Sequence, residues 1–424
     1  MGHYSLETAR SLDQGDSLRH FADRFYRQPG QLYFDGNSLG LLSKDAEKSL
    51  LHMLEEWKTL GINGWMDGNP PWFYMAEHLA ARQADLVGAL EHEVIMHSST
   101  TVNLHALLAT FYKPTHFRDE IVMDELNFPS DHYAVRSFLD RMGKDPDIYL
   151  KIVPSRDGRT LEESDILNAM TNRTALVLLP SVLYRSGQLL DMALLTSAVH
   201  ENGSFIGFDM SHSAGSIPHH LHDHEVDFAF WCTYKYLNSG PGGVSTLFIH
   251  ERHHHLGPGL AGWFGCDKNK QFDMDLAFTP SPCAGAWQIG TPHLLSMAPL
   301  AGSLDLFEEA GILRLRQKSL AMTDFLMRLI DERLVGHNFT IGTPRDSGRR
   351  GGHVALEHAE AVRINEALKA RGVIPDFRYP NIIRLAPMAL YNSFEDIWHL
   401  VDILKDIMDN RLYEQYEKKR GPVA

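Results

Sequence analysis

Short apolar runs rich in β-branched and aromatic residues alternate with helical patterns between residues 92 and 250. This alternation is typical of a mostly parallel sheet whose strands are joined by crossover helices. Apolar residues at helical spacing predict crossover helices over 131–141, 162–170 and 192–201. The pattern therefore predicts an α/β protein with one large sheet of seven strands, over 93–96, 120–123, 149–153, 175–179, 204–208, 228–233 and 244–249.

Helical patterns dominate outside this region. Residues 5–27 and 44–60 predict two amphipathic helices, which form an N-terminal arm. After residue 295 the spacing predicts long helices over 296–311 and 312–335, then strands over 339–341, 353–356 and 382–385 and a closing helix that begins at Phe394. We expect three parts, namely the arm (1–60) as part of the small domain, a large domain (61–305) and a small C-terminal domain (306–424).

The composition disfavours several classes of protein. With 424 residues, of which 44% are hydrophobic, the chain can bury a large core. Its 40 lysines and arginines against 54 aspartates and glutamates give a formal net charge of −14, which disfavours nucleic acid and anionic lipid as partners. The N-terminal residues are polar and no uncharged apolar run is long enough to span a bilayer, so we expect neither a signal peptide nor a membrane partner.

Cysteines and histidines give no sign of a metal centre. Cys232, Cys266 and Cys283 contain no C-x-x-C pair, which argues against a disulfide framework or a cysteine zinc site and fits a reducing cytoplasm. Histidines cluster over 218–224 and 253–255 without the ordered spacing of a closed zinc site. We expect them to be exposed loop residues, and we expect no metal.

Lys235 is unusual because it follows the apolar, aromatic run Phe228–Trp231 and precedes a glycine-rich turn. Apolar surroundings favour a neutral amine, and a neutral amine can form a Schiff base. The alternative is a lysine at a strand end that reaches solvent, which is the commoner case for a lysine considered alone. Neighbouring motifs decide between the two interpretations.

Asp209 ends another apolar strand pattern, and His212 follows it three residues later. Because ligands of parallel α/β sheets bind beyond the carboxyl ends of the strands, we expect Asp209 and Lys235 to face one cleft. An aspartate in such a cleft can stabilise a protonated pyridine nitrogen. An aspartate that merely caps the next helix is an equal alternative.

Two further motifs suit the same cleft. Residues 98–104 follow a strand and open a helix predicted over 101–111, so their hydroxyl and backbone N–H groups suit a phosphate, although serine and threonine are also ordinary helix caps. Phe128 and Asp131 follow another strand and offer an aromatic face and a second carboxylate. Together these groups indicate pyridoxal 5′-phosphate rather than a nucleotide or a metal.

Motifs along nearly the whole chain match one enzyme family. They are Tyr33-Phe-Asp-Gly-Asn-Ser-Leu-Gly40, Thr101-Val-Asn-Leu-His105, Phe128-Pro-Ser-Asp-His-Tyr133, Gly207-Phe-Asp-Met-Ser-His212, Tyr234-Lys235, Gly262-Trp-Phe-Gly265, Gly290-Thr-Pro292, Ile383-Arg-Leu-Ala-Pro387 and Leu390-Tyr-Asn-Ser-Phe394. In these motifs the sequence resembles the kynureninases, pyridoxal-phosphate enzymes of the aspartate aminotransferase superfamily. The resemblance implies the fold type I transferase architecture, with a large seven-stranded, mostly parallel sheet domain and a small C-terminal α/β domain.

The resemblance also implies roles for single residues. Lys235 would hold the cofactor as a Schiff base, and Asp209 would pair with the pyridine nitrogen. Arg384 would bind the α-carboxylate of the substrate, a task that suits the guanidinium fork. The other implied cofactor positions are Phe128 as the stacking ring, Asp131 beside Asp209, Thr100, Thr101 and Tyr234 at the phosphate, and Ser181, His212, Trp263 and Thr291.

The implied reaction is hydrolytic cleavage of the Cβ–Cγ bond of L-kynurenine to anthranilate and L-alanine, a step of tryptophan degradation. It would pass through an external aldimine and a quinonoid, with Lys235 removing the Cα proton and Asp209 keeping the ring nitrogen charged. Tyr234 is the implied proton donor late in the reaction. Members of the family are homodimers, so Thr291 and the region of Trp65 are expected to reach the cofactor of the partner.

Substrate choice depends on two positions in this resemblance. Trp65 and Thr291 stand where members that prefer 3-hydroxykynurenine carry a histidine and an asparagine. Loss of both polar partners for a ring hydroxyl predicts a preference for L-kynurenine. The alternatives are a related hydrolase or lyase for 3-hydroxykynurenine or another β-acyl amino acid, a cysteine desulfurase or aminotransferase, and a non-catalytic protein on the same scaffold.

Overall fold

The computed structural model describes residues 4–419 and 421, so the outermost residues of the first and last expected domains lie outside it. Its strands are β1 (Leu32–Tyr33), β2 (Val94–Met96), β3 (Glu120–Asp124), β4 (Leu150–Val153), β5 (Thr174–Pro180), β6 (Phe205–Asp209), β7 (Phe228–Trp231), β8 (Thr246–Ile249), β9 (Thr340–Ile341), β10 (Val354–Glu357), β11 (Val373–Ile374), β12 (Asp376–Arg378) and β13 (Ile382–Leu385).

The α-helices cover both ends of the chain and the connections between the strands. They are α1 (Leu6–Gln14), α2 (Lys44–Leu60), α3 (Gly64–Asp67), α4 (Met75–Val87), α5 (Thr100–Phe111), α6 (Pro129–Arg141), α7 (Pro146–Tyr149), α8 (Glu163–Ala169), α9 (Met192–Glu201), α10 (Leu294–Ala310), α11 (Ile312–Arg333), α12 (Ala361–Ala370) and α13 (Phe394–Asp409).

The large sheet has the strand order β2-β8-β7-β6-β5-β3-β4. Strands β3 to β7 run parallel, and β8 runs antiparallel to both of its neighbours, β7 and β2. The seven strands agree with the sequence prediction to within two residues at each end. The prediction of an α/β protein with one large, mostly parallel sheet is therefore confirmed.

Two features of the prediction are wrong. The single helix expected over 5–27 ends at Gln14, and a separate 3-10 turn follows at Arg19–Arg24. The helix stops there because the Asp16 carboxylate accepts a hydrogen bond from the backbone N–H of Leu18 at 2.9 Å, which closes a local turn instead of a further helical turn. Strands β1, β11 and β12 were not expected, because runs of two or three residues carry no readable alternation.

Two hydrophobic cores lie on the two larger sheets. The first surrounds the seven-stranded sheet, where Phe208, Phe228, Phe230 and Phe248 are fully buried. The second lies between α11, α13 and the antiparallel sheet of order β12-β13-β10-β9. Helix α1 packs on α13, while α2 packs on α10. Within the described residues, no helix combines the length and the hydrophobicity needed to cross a bilayer.

Candidate active site

A cavity of about 340 Å³ lies beyond the carboxyl ends of the parallel strands. Asp209 is the last residue of β6, and Lys235 follows β7 in the next strand of the sheet. The amino ends of α5 and α6 bring Thr100, Thr101, Phe128 and Asp131 to the same cavity. The expectation that one cleft joins Asp209 and Lys235 is met by this geometry, because both side chains line the cavity.

Lys235 is held by a histidine at one wall of the cavity. Its Nζ lies 2.9 Å from Nε2 of His212 and 5.9 Å from the centre of the Phe128 ring. Burial, and then the positive charge of Lys235, lower the pKa of His212 well below its usual value. His212 is therefore neutral, and its Nε2 accepts a hydrogen bond from the lysine amine.

Two carboxylates share the floor of the cavity. Asp131 is buried, and burial followed by the charge of Asp209 raises the pKa of Asp131 well above its usual value. Like charges this close do not both ionise readily, so Asp131 holds a proton and Asp209 carries the negative charge. Asp209 Oδ1 also accepts the backbone N–H of Ser211 at 2.8 Å, which fixes the carboxylate at the strand end.

The amino end of α5 forms another wall. Ser99 is the N-cap, and the helix begins at Thr100, so backbone N–H groups without helical partners point toward the cavity. Thr101 Oγ1 lies 2.8 Å from Ser130 Oγ at the start of α6. Hydroxyl groups and a positive helix end together make this wall suited to a phosphate.

Arg384 reaches the cavity from β13 and is almost fully buried. Its Nε and NH2 groups bond the buried Asp376, NH1 donates to the carbonyl of Tyr184 at 2.7 Å, and NH2 donates to Ser38 Oγ at 2.9 Å. These bonds fix the guanidinium before any ligand binds. Burial, and then the charge of Asp376, raise the pKa of the nearby Asp35 carboxyl to about 6.

Four of the residues suggested by the sequence do not line this cavity. Ser181 is buried behind Asp209, where its hydroxyl donates to the Asp209 backbone carbonyl at 3.2 Å and lies 2.7 Å from Ser213 Oγ. Trp65 and Thr291 line a second, mostly apolar cavity of about 570 Å³. Trp263 is 43% exposed and lies edge-on to Phe272. Within one chain, therefore, Trp65, Thr291 and Trp263 are separate from Lys235.

Several residues that line the cavity were not predicted from the sequence. Asn37 and Ser38 belong to the motif Tyr33–Gly40, to which no role was assigned, and Ser211 belongs to the motif Gly207–His212 but had no role of its own. Tyr184 and Arg378 stood in no motif. Asn37 is fully buried, and neither polar atom of its amide group has a hydrogen-bond partner within residues 4–419. A buried amide without partners at a cavity wall is suited to bind a ligand. The place of Asn37 in the motif Tyr33–Gly40 was the signal that could have identified it.

The two histidine clusters differ from the expectation of exposed loop residues. Of their members only His220 and His255 are exposed, whereas His219 and His253 are buried. His253 Nε2 lies 2.7 Å from the buried carboxylate of Asp227, and burial lowers the pKa of His219 to about 3. The prediction failed because the loops fold back onto the sheet.

Comparisons with known sequences point to one family. A family model described as the kynureninase C-terminal domain matches residues 315–404. The chain is 58% identical to the kynureninase of Geobacillus thermodenitrificans over 420 residues, covering 99% of this chain and 98% of the relative. It is 57% identical to the kynureninase of Bacillus anthracis and 52% identical to that of Shouchella clausii, with the same coverage.

Solved structures share the fold at low sequence identity. A C-DES mutant with glycine covalently linked to its PLP cofactor superposes with a TM-score of 0.77 at 19% identity, covering 91% of this chain and 98% of that chain. The apo cysteine desulfurase of Thermococcus onnurineus gives a TM-score of 0.75 at 18% identity, covering 90% and 95%. These likenesses establish the fold type I architecture.

Proposed function

The chain belongs to the kynureninase family, and from this membership we propose a role for each side chain of the Lys235 cavity. The protein is a pyridoxal-phosphate enzyme that hydrolyses L-kynurenine to anthranilate and L-alanine, a step of tryptophan degradation. One observation supports this assignment of roles. Lys235, Asp209 and Arg384 line the same cavity, although they come from segments of two different sheets.

The residues of the cavity fit pyridoxal phosphate. A ring with a protonated nitrogen needs one carboxylate charge, and the proton on Asp131 leaves that charge on Asp209. A phosphate needs N–H and hydroxyl donors, which the start of α5 offers at Thr100 and Thr101. Phe128 lies beside the lysine amine with its ring facing the cavity, where a flat heteroaromatic ring can stack.

Pyridoxal phosphate, when bound, supplies an electron-accepting ring that stabilises negative charge at the adjacent substrate carbon. Lys235, as the free amine, removes the proton from Cα of the substrate. The neutral His212 orients this amine by accepting a hydrogen bond from it. Asp209 holds the proton on the ring nitrogen. Asp131 stays protonated beside it, so that the two carboxyl groups together carry one negative charge.

Arg384 binds the α-carboxylate of the substrate, and its bonds to Asp376, Ser38 and the carbonyl of Tyr184 hold the guanidinium at the cavity wall. Water then adds to the side-chain ketone, and cleavage of the Cβ–Cγ bond releases anthranilate. Tyr234 donates the proton that completes the methyl group of alanine. The nearby Cys232 thiol and burial raise the pKa of Tyr234, so its hydroxyl keeps the proton until it is needed.

A direct assay tests this function. Purified protein loaded with pyridoxal phosphate is incubated with L-kynurenine, and anthranilate fluorescence and alanine are measured together. Equal amounts of the two products are expected. Formation of a keto acid from the substrate without alanine would instead indicate a transaminase, and absence of both products would leave a binding protein as the better explanation.

The homodimer is the second part of the proposal. Trp57, Ile62 and Leu295, which are 59%, 78% and 42% exposed, surround the apolar cavity that contains Trp65 and Thr291. An exposed apolar surface of this kind is typical of a protein interface. We infer that a second copy of the chain covers it, and that Trp65 and Thr291 there, together with the exposed Trp263, complete the cavity of the partner.

Size-exclusion chromatography with light scattering tests the dimer. Ile62→Glu introduces a charge on the apolar surface and is expected to shift the protein toward the monomer. Val335→Glu is the matched control, because Val335 is 77% exposed but lies in the small C-terminal unit. If both variants elute as the wild-type protein does, the interface lies elsewhere.

The apolar character of the Trp65 cavity also supports a preference for L-kynurenine over 3-hydroxykynurenine. Measurement of kcat/KM for both substrates tests this preference, and a higher value for 3-hydroxykynurenine would contradict it. A cytoplasmic location is likewise proposed, with support from the three cysteines, all of which are free.

A further inference from the structure

A cluster of metal-ligand type lies at the opposite end of the strands from Lys235, at the amino end of β7. It consists of Glu93, just before β2, His222, in the loop between β6 and β7, and His250, just after β8. One ligand atom from each residue lies within 4.8 Å of the others. Because β8 runs antiparallel to β7, its carboxyl end meets the amino ends of β6 and β7, away from the catalytic residues.

The carboxylate of Glu93 is completely buried but has no ordinary cationic partner. His222 Nδ1 lies 3.0 Å from its Oε1, and His250 Nδ1 lies 3.5 Å from the same oxygen. Within residues 4–419, no lysine or arginine forms an ion pair with it. The backbone N–H groups of Leu90 and Glu251 also donate to this carboxylate, at 2.9 Å and 2.8 Å, and hold it in place between the two histidines. Buried carboxylates are usually paired with a cation or bind a metal.

Arg252, two residues after His250, is directed elsewhere. Arg252 NH2 bonds Asp227 Oδ1 at 2.6 Å and also bonds the carbonyl of Glu225, so its charge neutralises a different carboxylate. Glu251, whose side chain pairs with His92 at 2.8 Å, adds a second acidic residue beside the cluster. The local excess of negative charge favours a cation.

His250 Nδ1 and Glu93 Oε1, which lie 3.5 Å apart, are both hydrogen-bond acceptors. Nδ1 of His250 accepts the backbone N–H of Arg252 in a long bond of 3.3 Å, so it carries a lone pair rather than a proton. No hydrogen bond joins this nitrogen to the Glu93 oxygen 3.5 Å away, and a cation between the two atoms would stabilise both.

We propose that Glu93, His222 and His250 bind one Zn²⁺ ion. Two imidazole nitrogens and one carboxylate oxygen are a common zinc ligand set, and water occupies the fourth position. Water has access because the side chain of His222 is 30% exposed. The ion links three segments that are far apart in the sequence, and it acts on stability rather than on the chemistry at Lys235.

No metal was expected from the sequence, because the spacing within the two histidine clusters does not match a closed zinc site. His222 belongs to one of those clusters, but Glu93 and His250 lie outside both of them. The site becomes visible only when the sheet brings β2 and β8 together.

Zinc titration of the holoenzyme, after treatment with a chelator, tests the proposal. Isothermal titration calorimetry is expected to show one tight Zn²⁺ per chain, and zinc is expected to raise the thermal unfolding midpoint. His222→Ala is expected to weaken this binding at least about 100-fold, since loss of even an outer partner of a ligand costs 10–100-fold. His220→Ala is the matched control, because His220 is exposed in the same loop.

A second measurement distinguishes this site from scattered histidines. Co²⁺ in place of Zn²⁺ gives visible absorption bands that report nitrogen and oxygen ligands, and these bands should appear with wild-type protein and His220→Ala but not with His222→Ala. Turnover of L-kynurenine by His222→Ala is expected to equal that of the wild type. The proposal is overturned if wild type and His222→Ala bind zinc equally, or if wild type binds none.

Discussion

The charges in the Lys235 cavity are fixed by the positions of a few protons. His212 is neutral because it is buried beside an amine, and Asp131 is protonated because it is buried beside Asp209. The result is one negative carboxylate and one lysine amine at opposite sides of a small space. This is the arrangement that a protonated ring nitrogen and an aldehyde carbon require.

Asp376 is expected to act as a positioning residue for Arg384. Asp376→Asn removes the charge that holds the guanidinium at its Nε edge, so KM for L-kynurenine should rise about tenfold or more, equivalent to about 1.4 kcal/mol of binding, while kcat changes far less. Steady-state kinetics measure both constants. Because breaking a buried ion pair costs roughly 3–5 kcal/mol of stability, the assay is run well below the unfolding temperature.

Two further variants complete the test of Asp376. Asp376→Glu keeps the charge and should restore much of the affinity for substrate. Asp402→Asn breaks a partly exposed pair with Arg333 and should leave KM unchanged. A fall in kcat with no change in KM for Asp376→Asn would contradict the assigned role.

Buried neutral histidines are expected to make the protein sensitive to acid. Burial lowers the pKa of His219 to about 3, from an ordinary value of 6.5. Between these values the unfolded chain binds a proton that the folded chain does not, so the contribution of His219 to stability is present above pH 6.5 and is lost as the pH falls.

The size of this effect on stability follows from the same difference in pKa between the folded and the unfolded chain. Relative to His219→Gln, the free energy of unfolding of the wild type should fall by about 1.4 kcal/mol for each pH unit below the ordinary histidine value. Urea denaturation at several pH values measures it, with the exposed His255→Gln as control. Parallel pH profiles for wild type and His219→Gln would disprove the assignment.

At the scale of elements, the loop between β1 and α2 determines the shape of the cavity. It carries Asn37 and Ser38, and the backbone N–H of Gly40 bonds the carbonyl of Tyr234 at 2.8 Å. A Cβ atom at Gly40 would lie 2.5 Å from the carbonyl oxygen of Lys235. The loop can therefore approach the lysine segment only with glycine at this position.

Gly40→Ala is expected to lower kcat/KM at least about tenfold, equivalent to about 1.4 kcal/mol, because the loop must move away from Lys235 and take Ser38 with it. Gly15→Ala provides the control, since a Cβ there meets its nearest atom at 3.6 Å, an ordinary contact. Equal activity of the two variants in the anthranilate assay would show that the loop tolerates the displacement.

The elements that could be predicted from the sequence are those with a strong local pattern. The strands of the large sheet are buried on both faces and read as apolar runs, and α9 begins and ends where the spacing predicts. Short pairs such as β1 with β11 depend on residues more than 300 positions apart, and no local pattern encodes them. The early end of α1 depends on one side-chain hydrogen bond, which amphipathic spacing does not reveal.

At the scale of the whole molecule, the cavity is formed where the two larger sheets meet. Asp209 ends β6 of the seven-stranded sheet and Lys235 follows β7 of the same sheet, whereas Arg384 lies in β13 of the four-stranded sheet. Strand-end residues of the first sheet could be predicted from the sequence, because parallel strands bring their ends together. Ser38 could not, since its contact with Arg384 spans 346 positions.

Three positions implied by the family resemblance are not explained by contacts within one chain, namely Trp65, Thr291 and Trp263. They came from the resemblance to the family, and in a single chain they lie away from Lys235. Their proposed role requires a second subunit, so it depends on the dimer and on no contact within the chain. The boundaries expected at residues 60 and 305 likewise stay predictions.

The central claim is that the amine of Lys235 carries out the chemistry in this cavity. The most direct measurement is anthranilate formation by Lys235→Ala, with the exposed Lys113→Ala as control and both proteins loaded with pyridoxal phosphate. We predict that Lys113→Ala is as active as wild type and that Lys235→Ala loses at least about a thousandfold in kcat while remaining folded by circular dichroism. Undiminished anthranilate production by Lys235→Ala would contradict the account.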